Sequence, residues 1–166
     1  MIEHPLLRID EILRTLLEAD VRFVLIGGLA AQVHGSPSLT GDVDICFALD
    51  HGNLDRLGAA LVSMAAVRRT MPDGIAAAVD ARALRAGDVF TLTTRYGDLD
   101  LLAHPDPGLD FETLDGNAIR AEIFGIPVGV AGLEDLMLMK RAAGRPKDRV
   151  ELEILGALRD ELERRP

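Results

Sequence analysis

The chain carries a single cysteine, Cys46, so no internal disulfide can form, which agrees with a reducing cytoplasm. It has no long apolar run. The longest, Phe23 to Val33, contains a Gly-Gly pair and is too short to cross a bilayer, so no membrane partner is expected. A basic start leading into an apolar stretch is also missing. Glu3, Asp10 and Glu11 stand there instead, and no secretory signal is read. Positive charge is scarce: the net charge is −9. A protein that coats a long stretch of nucleic acid shows a basic stripe, and globally this one does not. No internal repeat, low-complexity tract or linker interrupts the 166 residues, which are therefore read as one domain over 1–166.

Apolar residues make up 48% and charged residues 27%, a composition that buries a real core and stays soluble. The one local excess of positive charge is Lys140, Arg141, Arg145, Lys147 and Arg149, crowded beside the single acid Asp148. It permits one focused phosphate site.

Hydrophobic periodicity predicts a first amphipathic helix through Leu6, Leu7, Ile9, Leu13, Leu16 and Leu17. Arg22 to Ile26 reads as a buried strand ended by Gly27-Gly28, and Leu29 to Val33 as a short helix closed by His34-Gly35. After a loop, Val43 to Leu49 is a second strand and Leu54 to Met64 a second helix. Asp80 caps a short helix stopped by Gly87. Val89 to Thr94 and Leu99 to Ala103 form a hairpin about Tyr96-Gly97, and Ile119 to Phe124 and Val128 to Val130 another about Gly125-Ile126-Pro127. Leu133 to Ala143 is a helix stopped by Gly144, and Pro146 suits the first turn of a last helix, Lys147 to Glu163. The mixture implies an α+β fold: a mixed sheet flanked by helices over about 20–131, with a C-terminal helical part over about 132–163.

A strand that stops in Gly27-Gly28 and opens a helix presents bare backbone N–H groups, and glycine lets a phosphate come close. Alone, such a pair is most often a tight turn. In Asp42-Val43-Asp44-Ile45, strand alternation puts both carboxylates on one face. They repel each other unless a divalent cation sits between them, and Mg²⁺ prefers oxygen ligands. Alone, such a pair is more often the solvated face of a strand. Thirteen residues separate Gly28 from Asp42, enough for a short helix and a return loop that bring the two features together. Further on, Asp98 and Asp100 also share a face, so alternation does not choose between them. Asp98 follows Gly97 and is expected at an exposed turn. Asp100 lies between Leu99 and Leu101, where a free carboxylate is costly without a partner.

Lys140 reads either as a lysine snorkelling from an apolar helix or as a point charge for phosphate. Asp148 reads either as the partner of Lys140 or Arg145 or as a helix-dipole acid. Cys46 reads as a small buried hydrophobe and His34 as a helix end. His4, His51 and His104 show no metal-ligand spacing.

Taken together, Ile26-Gly27-Gly28, Ala30, His34-Gly35, Thr40 and Asp42-Val43-Asp44 resemble the signature of the DNA polymerase β-like nucleotidyltransferase superfamily. The resemblance is nearest to its small bacterial branch, which includes abortive-infection-type nucleotidyltransferase toxins. Tyr96-Gly97-Asp98-Leu99-Asp100 resembles the strand bearing that family's third carboxylate. Leu133 to Lys140 and Gly144 to Asp148 resemble its C-terminal helical motif. The likeness runs from about Phe23 to Leu155 and departs at Ser38, where many relatives carry arginine.

The resemblance implies transfer of a nucleoside monophosphate from an NTP such as ATP to an acceptor hydroxyl. Asp42, Asp44 and Asp100 would hold Mg²⁺, with Mn²⁺ as the alternative. Gly27, Gly28, Thr40 and Lys140 would bind the nucleotide. The acceptor would be a tRNA 3′ end, as in a toxin with an antitoxin partner, or else a small molecule such as an antibiotic, or a protein hydroxyl. The departure at Ser38 keeps a second role open: a degenerate, non-catalytic nucleotide-binding or antitoxin-like regulator.

Overall fold

A computed structural model describes residues 5–69 and 78–166. Helix α1 (Ile9–Glu18) buries Ile12, Leu13 and Leu16. Strand β1 (Phe23–Ile26) leads into α2 (Gly27–Val33), and β2 (Asp42–Phe47) returns beside it. Next come α3 (His51–Ser63), capped by Asp50, the short β3 (Val67–Arg68), and α4 (Ala81–Ala86), capped by Asp80. The hairpin of β4 (Val89–Thr94) and β5 (Gly97–Leu102) is followed by α5 (Phe111–Asn117). Strands β6 (Ile119–Ile123) and β7 (Ile126–Val130) and helices α6 (Leu133–Ala143) and α7 (Pro146–Arg164) complete the chain.

The strands form one sheet in the order β3-β4-β5-β2-β1-β7-β6. β2 runs parallel to β5 and β1 parallel to β7, while the other neighbours are antiparallel. The α+β class with a mixed sheet and C-terminal helices is therefore what the chain adopts. The core gathers Val24, Leu25, Val43, Ile45, Phe47, Leu99 and Leu101 from the central strands with Leu57, Leu61 and Leu136 from the helices. No helix among the described residues is long and apolar enough to cross a membrane.

Several boundaries differ from expectation, each for a local reason. Leu6 lies outside α1 and is 87% exposed, so the apolar stripe begins only at Ile9. The second hairpin turns at Phe124-Gly125, both with positive φ, and Pro127 lies within β7. Its missing N–H is tolerated because β7 pairs with β1 only further on, at Val130. Helix α5 escaped the sequence reading although its signal is present: Asp110 accepts from the backbone N–H of Thr113, and Phe111 and Leu114 are buried one turn apart. Asp98 is not at an exposed turn. It is the second residue of β5, because the tight turn is completed at Gly97.

Candidate active site

Register builds the site. Ile26 pairs with Asp44 across β1 and β2, and Asp44 pairs with Asp100 across β2 and β5. Alternation keeps Asp42 on the face of Asp44, and Asp98 on the face of Asp100. Ligand oxygens of Asp42, Asp44 and Asp100 all lie within 4.8 Å of one another, and each residue is half-buried. Gly27 follows Ile26 directly with φ +70, and a Cβ there would fall on the Asp44 carboxylate. A Cβ at Gly28 would lie 3.0 Å from the hydroxyl of Thr40. Both glycines are thus fixed by close approach, and Gly27 by its left-handed backbone as well.

These residues line one cleft of about 590 Å³ together with Ser38, Thr40, Lys140, Arg145, Lys147 and Glu151. The structure thus brings together all seven residues singled out from the sequence: Gly27, Gly28, Thr40, Asp42, Asp44, Asp100 and Lys140. Thr40 has a further use there. Its hydroxyl lies 3.1 Å from Oδ1 and 3.1 Å from the backbone carbonyl of Asp42, where it orients that acid.

The electrostatics are strained on the acid side. The Asp44 carboxyl is pushed up to about 7, first by burial and then by the charges of Asp42 and Asp100. Burial also raises Asp100, with Arg69 pulling against it. Arg69, just beyond β3, was missed by the sequence reading. Its guanidinium lies 2.6 Å from Oδ2 of Asp98 and also pairs with Asp100. Thr93 donates to the other oxygen of Asp98 at 2.8 Å. Nothing at sequence level marks Arg69, because its partners are about thirty residues away and depend on β3 meeting β4.

On the helical side, Asp148 is fully buried and resolves both of its earlier readings. It accepts from Nε of Arg145 at 2.7 Å and from the Arg145 backbone N–H at 3.1 Å, and Lys140 Nζ lies 3.4 Å away. Burial pushes its carboxyl up, but the Arg145 hydrogen bonds and the Lys140 charge hold it below the usual range. Lys140 is therefore an anchored cation on the cleft wall. Glu151 is the other residue the sequence did not mark. It accepts from the hydroxyls of Ser36 and Ser38, each at 2.7 Å.

The remaining candidates take structural places. Cys46 is buried, and burial pushes its thiol up to about 12. His34 caps α2, with Nε2 2.8 Å from the carbonyl of Ala131. His51 meets Arg85 and His104 meets Asp88, while His4 lies outside the described residues.

The fold is shared with solved nucleotidyltransferase structures. A lincosamide antibiotic adenylyltransferase, LnuA, bound to lincomycin, superposes with a TM-score of 0.60 at 17% identity, covering 92% of this chain and 98% of that one. A candidate nucleotidyltransferase from Thermotoga maritima gives 0.55 at 19% identity, covering 99% and 100%. ANT(2'')-Ia, in complex with adenylyl-2''-tobramycin, gives 0.52 at 17% identity, covering 93% and 96%. No family profile matches the sequence, and no curated protein does.

Proposed function

We propose that the protein is a metal-dependent nucleotidyltransferase that moves a nucleoside monophosphate from an NTP, such as ATP, to an acceptor hydroxyl, with pyrophosphate leaving. The observation that carries this reading is the convergence of Asp42, Asp44 and Asp100 beside the glycine turn, in the cleft that also holds Lys140. The donor set fits a divalent ion. Three close carboxylates, one with a strongly raised pKa, are a repulsive arrangement that a hard cation relieves, and all-oxygen ligation suits Mg²⁺, with Mn²⁺ as the alternative. Bound there, the metal would supply charge neutralisation at the transferring phosphoryl group.

The chain's own residues do the positioning. Gly27 and Gly28 let the phosphates approach the backbone. Thr40 steadies Asp42. Lys140, anchored by Asp148, screens the departing pyrophosphate. Asp100, with one oxygen engaged by Arg69, keeps the other to take up the acceptor's proton. Strands of the 20–131 core and helices of the 132–163 part both line the cleft, which supports their working as one domain over 1–166; the cytoplasm, where NTP is abundant, is the location this reading takes.

For the acceptor, the cleft favours a small hydroxyl compound. Of the five clustered cations, Arg141 and Arg149 do not line the cleft, while Lys140, Arg145 and Lys147 do, and the first two share the negative charge of Asp148. That is little positive charge for an RNA end, where phosphate contacts dominate affinity. Two of the similar structures are antibiotic enzymes, which supports the same choice. The test is transfer from labelled NTP to total RNA, to protein and to a panel of hydroxyl compounds, at low and high salt. Small-molecule labelling with shallow salt dependence is the expected result. Salt-sensitive labelling of tRNA would instead support a toxin with an antitoxin partner, and labelled protein a protein hydroxyl. Mg²⁺-dependent NTP binding without any transfer would support a non-catalytic regulator.

A further inference from the structure

Glu151 is 7% exposed yet lines the cleft, and hydroxyls rather than a cation hold it. Its Oε1 accepts from Ser36 and its Oε2 from Ser38, both at 2.7 Å. A carboxylate offers about four acceptor sites, and the serines use two. What remains favours a ligand with O–H or N–H donors and repels phosphate. Lys147, Val150 and Glu151 are spaced to share one face of α7, and all three line the cleft. Val150 is 59% exposed and Leu39, beside Ser38, is 96% exposed. A fixed carboxylate thus stands next to two bare apolar side chains, in the cleft that holds the acid triad and the glycine turn. Of the parts of a nucleoside triphosphate, the sugar diol matches the carboxylate and the base matches the apolar pair.

We propose that Glu151, oriented by Ser36 and Ser38, reads the ribose hydroxyls of the bound NTP and makes the site selective for ribonucleotides, with the base against Leu39 and Val150. This rests on the reading that the cleft binds NTP with Mg²⁺. Loss of a hydroxyl that donates to a carboxylate weakens binding by about tenfold or more.

The experiment is calorimetric titration, with Mg²⁺, of ATP, 2′-deoxy-ATP, 3′-deoxy-ATP and tripolyphosphate into the wild type, Glu151→Ala, Glu151→Gln and Ser38→Ala. In the wild type, at least one deoxy-ATP should bind about tenfold more weakly than ATP. Glu151→Ala should bring that ratio to about one, and the two milder variants should lower it, while none of the variants should bind tripolyphosphate more weakly than the wild type. Equal binding of the three nucleotides to the wild type, a comparison that needs no variant to fold, overturns the inference. So does a ratio that survives in Glu151→Ala. If tripolyphosphate binds while the nucleotides are not distinguished, the inference falls alone. If neither ATP nor tripolyphosphate binds, the NTP reading falls and takes it along.

Discussion

Arg69 and Asp98 meet at 2.6 Å, and the same guanidinium reaches on to Asp100 in the acid triad. The arginine thereby offsets part of the negative charge on this face and occupies an oxygen that a metal could use. A unit charge at about 4 Å is worth about 4 kcal/mol at an effective dielectric of about 20, and partial exposure and salt reduce this to about 1 kcal/mol. Arg69→Gln should therefore bind Mn²⁺ several-fold more tightly than the wild type, read from the free Mn²⁺ signal by electron paramagnetic resonance. Unchanged or weaker binding would mean that Arg69 does not compete with the metal.

The Asp44 carboxyl, pushed up to about 7 from its ordinary 3.8, gives a pH dependence with a definite sign. Without metal, the folded chain holds this proton up to about pH 7, whereas the unfolded chain loses it near the ordinary 3.8. Its contribution to stability is complete below about pH 4, declines as pH rises, and is gone above about pH 7. In EDTA, the Tm of the wild type minus that of Asp44→Asn should fall between about pH 4 and 7. Saturating Mg²⁺ should displace the proton and abolish the fall. A flat difference in EDTA would contradict the raised pKa.

The buried Asp148 ties Lys140 on α6 to Arg145 at the start of α7. Asp148→Asn keeps the volume and removes the charge. It should cost about 1–3 kcal/mol in urea unfolding and weaken tripolyphosphate binding, because Lys140 loses its anchor. Lys147→Glu should leave stability within about 0.5 kcal/mol, since Lys147 is exposed. A silent Asp148→Asn would mean that the clamp neither holds the helices nor positions the lysine.

What was legible in the sequence was local. Strand alternation put Asp42 and Asp44 on one face, and the glycine pair and Pro146 marked their turn and helix start, because each depends on a few neighbouring residues. The placement of Asp98 failed because the chain turns at Arg95-Tyr96 and β5 already starts at Gly97, two residues before Leu99. Arg69 and Glu151 were invisible for another reason. Arg69 needs β3 to pair with β4 before it reaches Asp100, and Glu151 needs α7 to lie along the loop holding Ser36 and Ser38, more than a hundred residues away. The commitment of Arg145 to Asp148 likewise turned part of the basic cluster into a clamp at the start of α7.

The central claim is that the acid triad holds a metal for a nucleoside triphosphate, and the thermal shift of wild type and Asp44→Asn with ATP and Mg²⁺ tests it most directly. A ligand that binds only the folded state stabilises it by about 2.7 kcal/mol at a hundredfold excess over its Kd. The wild type should therefore melt several degrees higher with ATP and Mg²⁺ together than with either alone, and Asp44→Asn should lose most of that rise. Equal shifts in the two proteins, or none in the wild type with any NTP, would contradict the account.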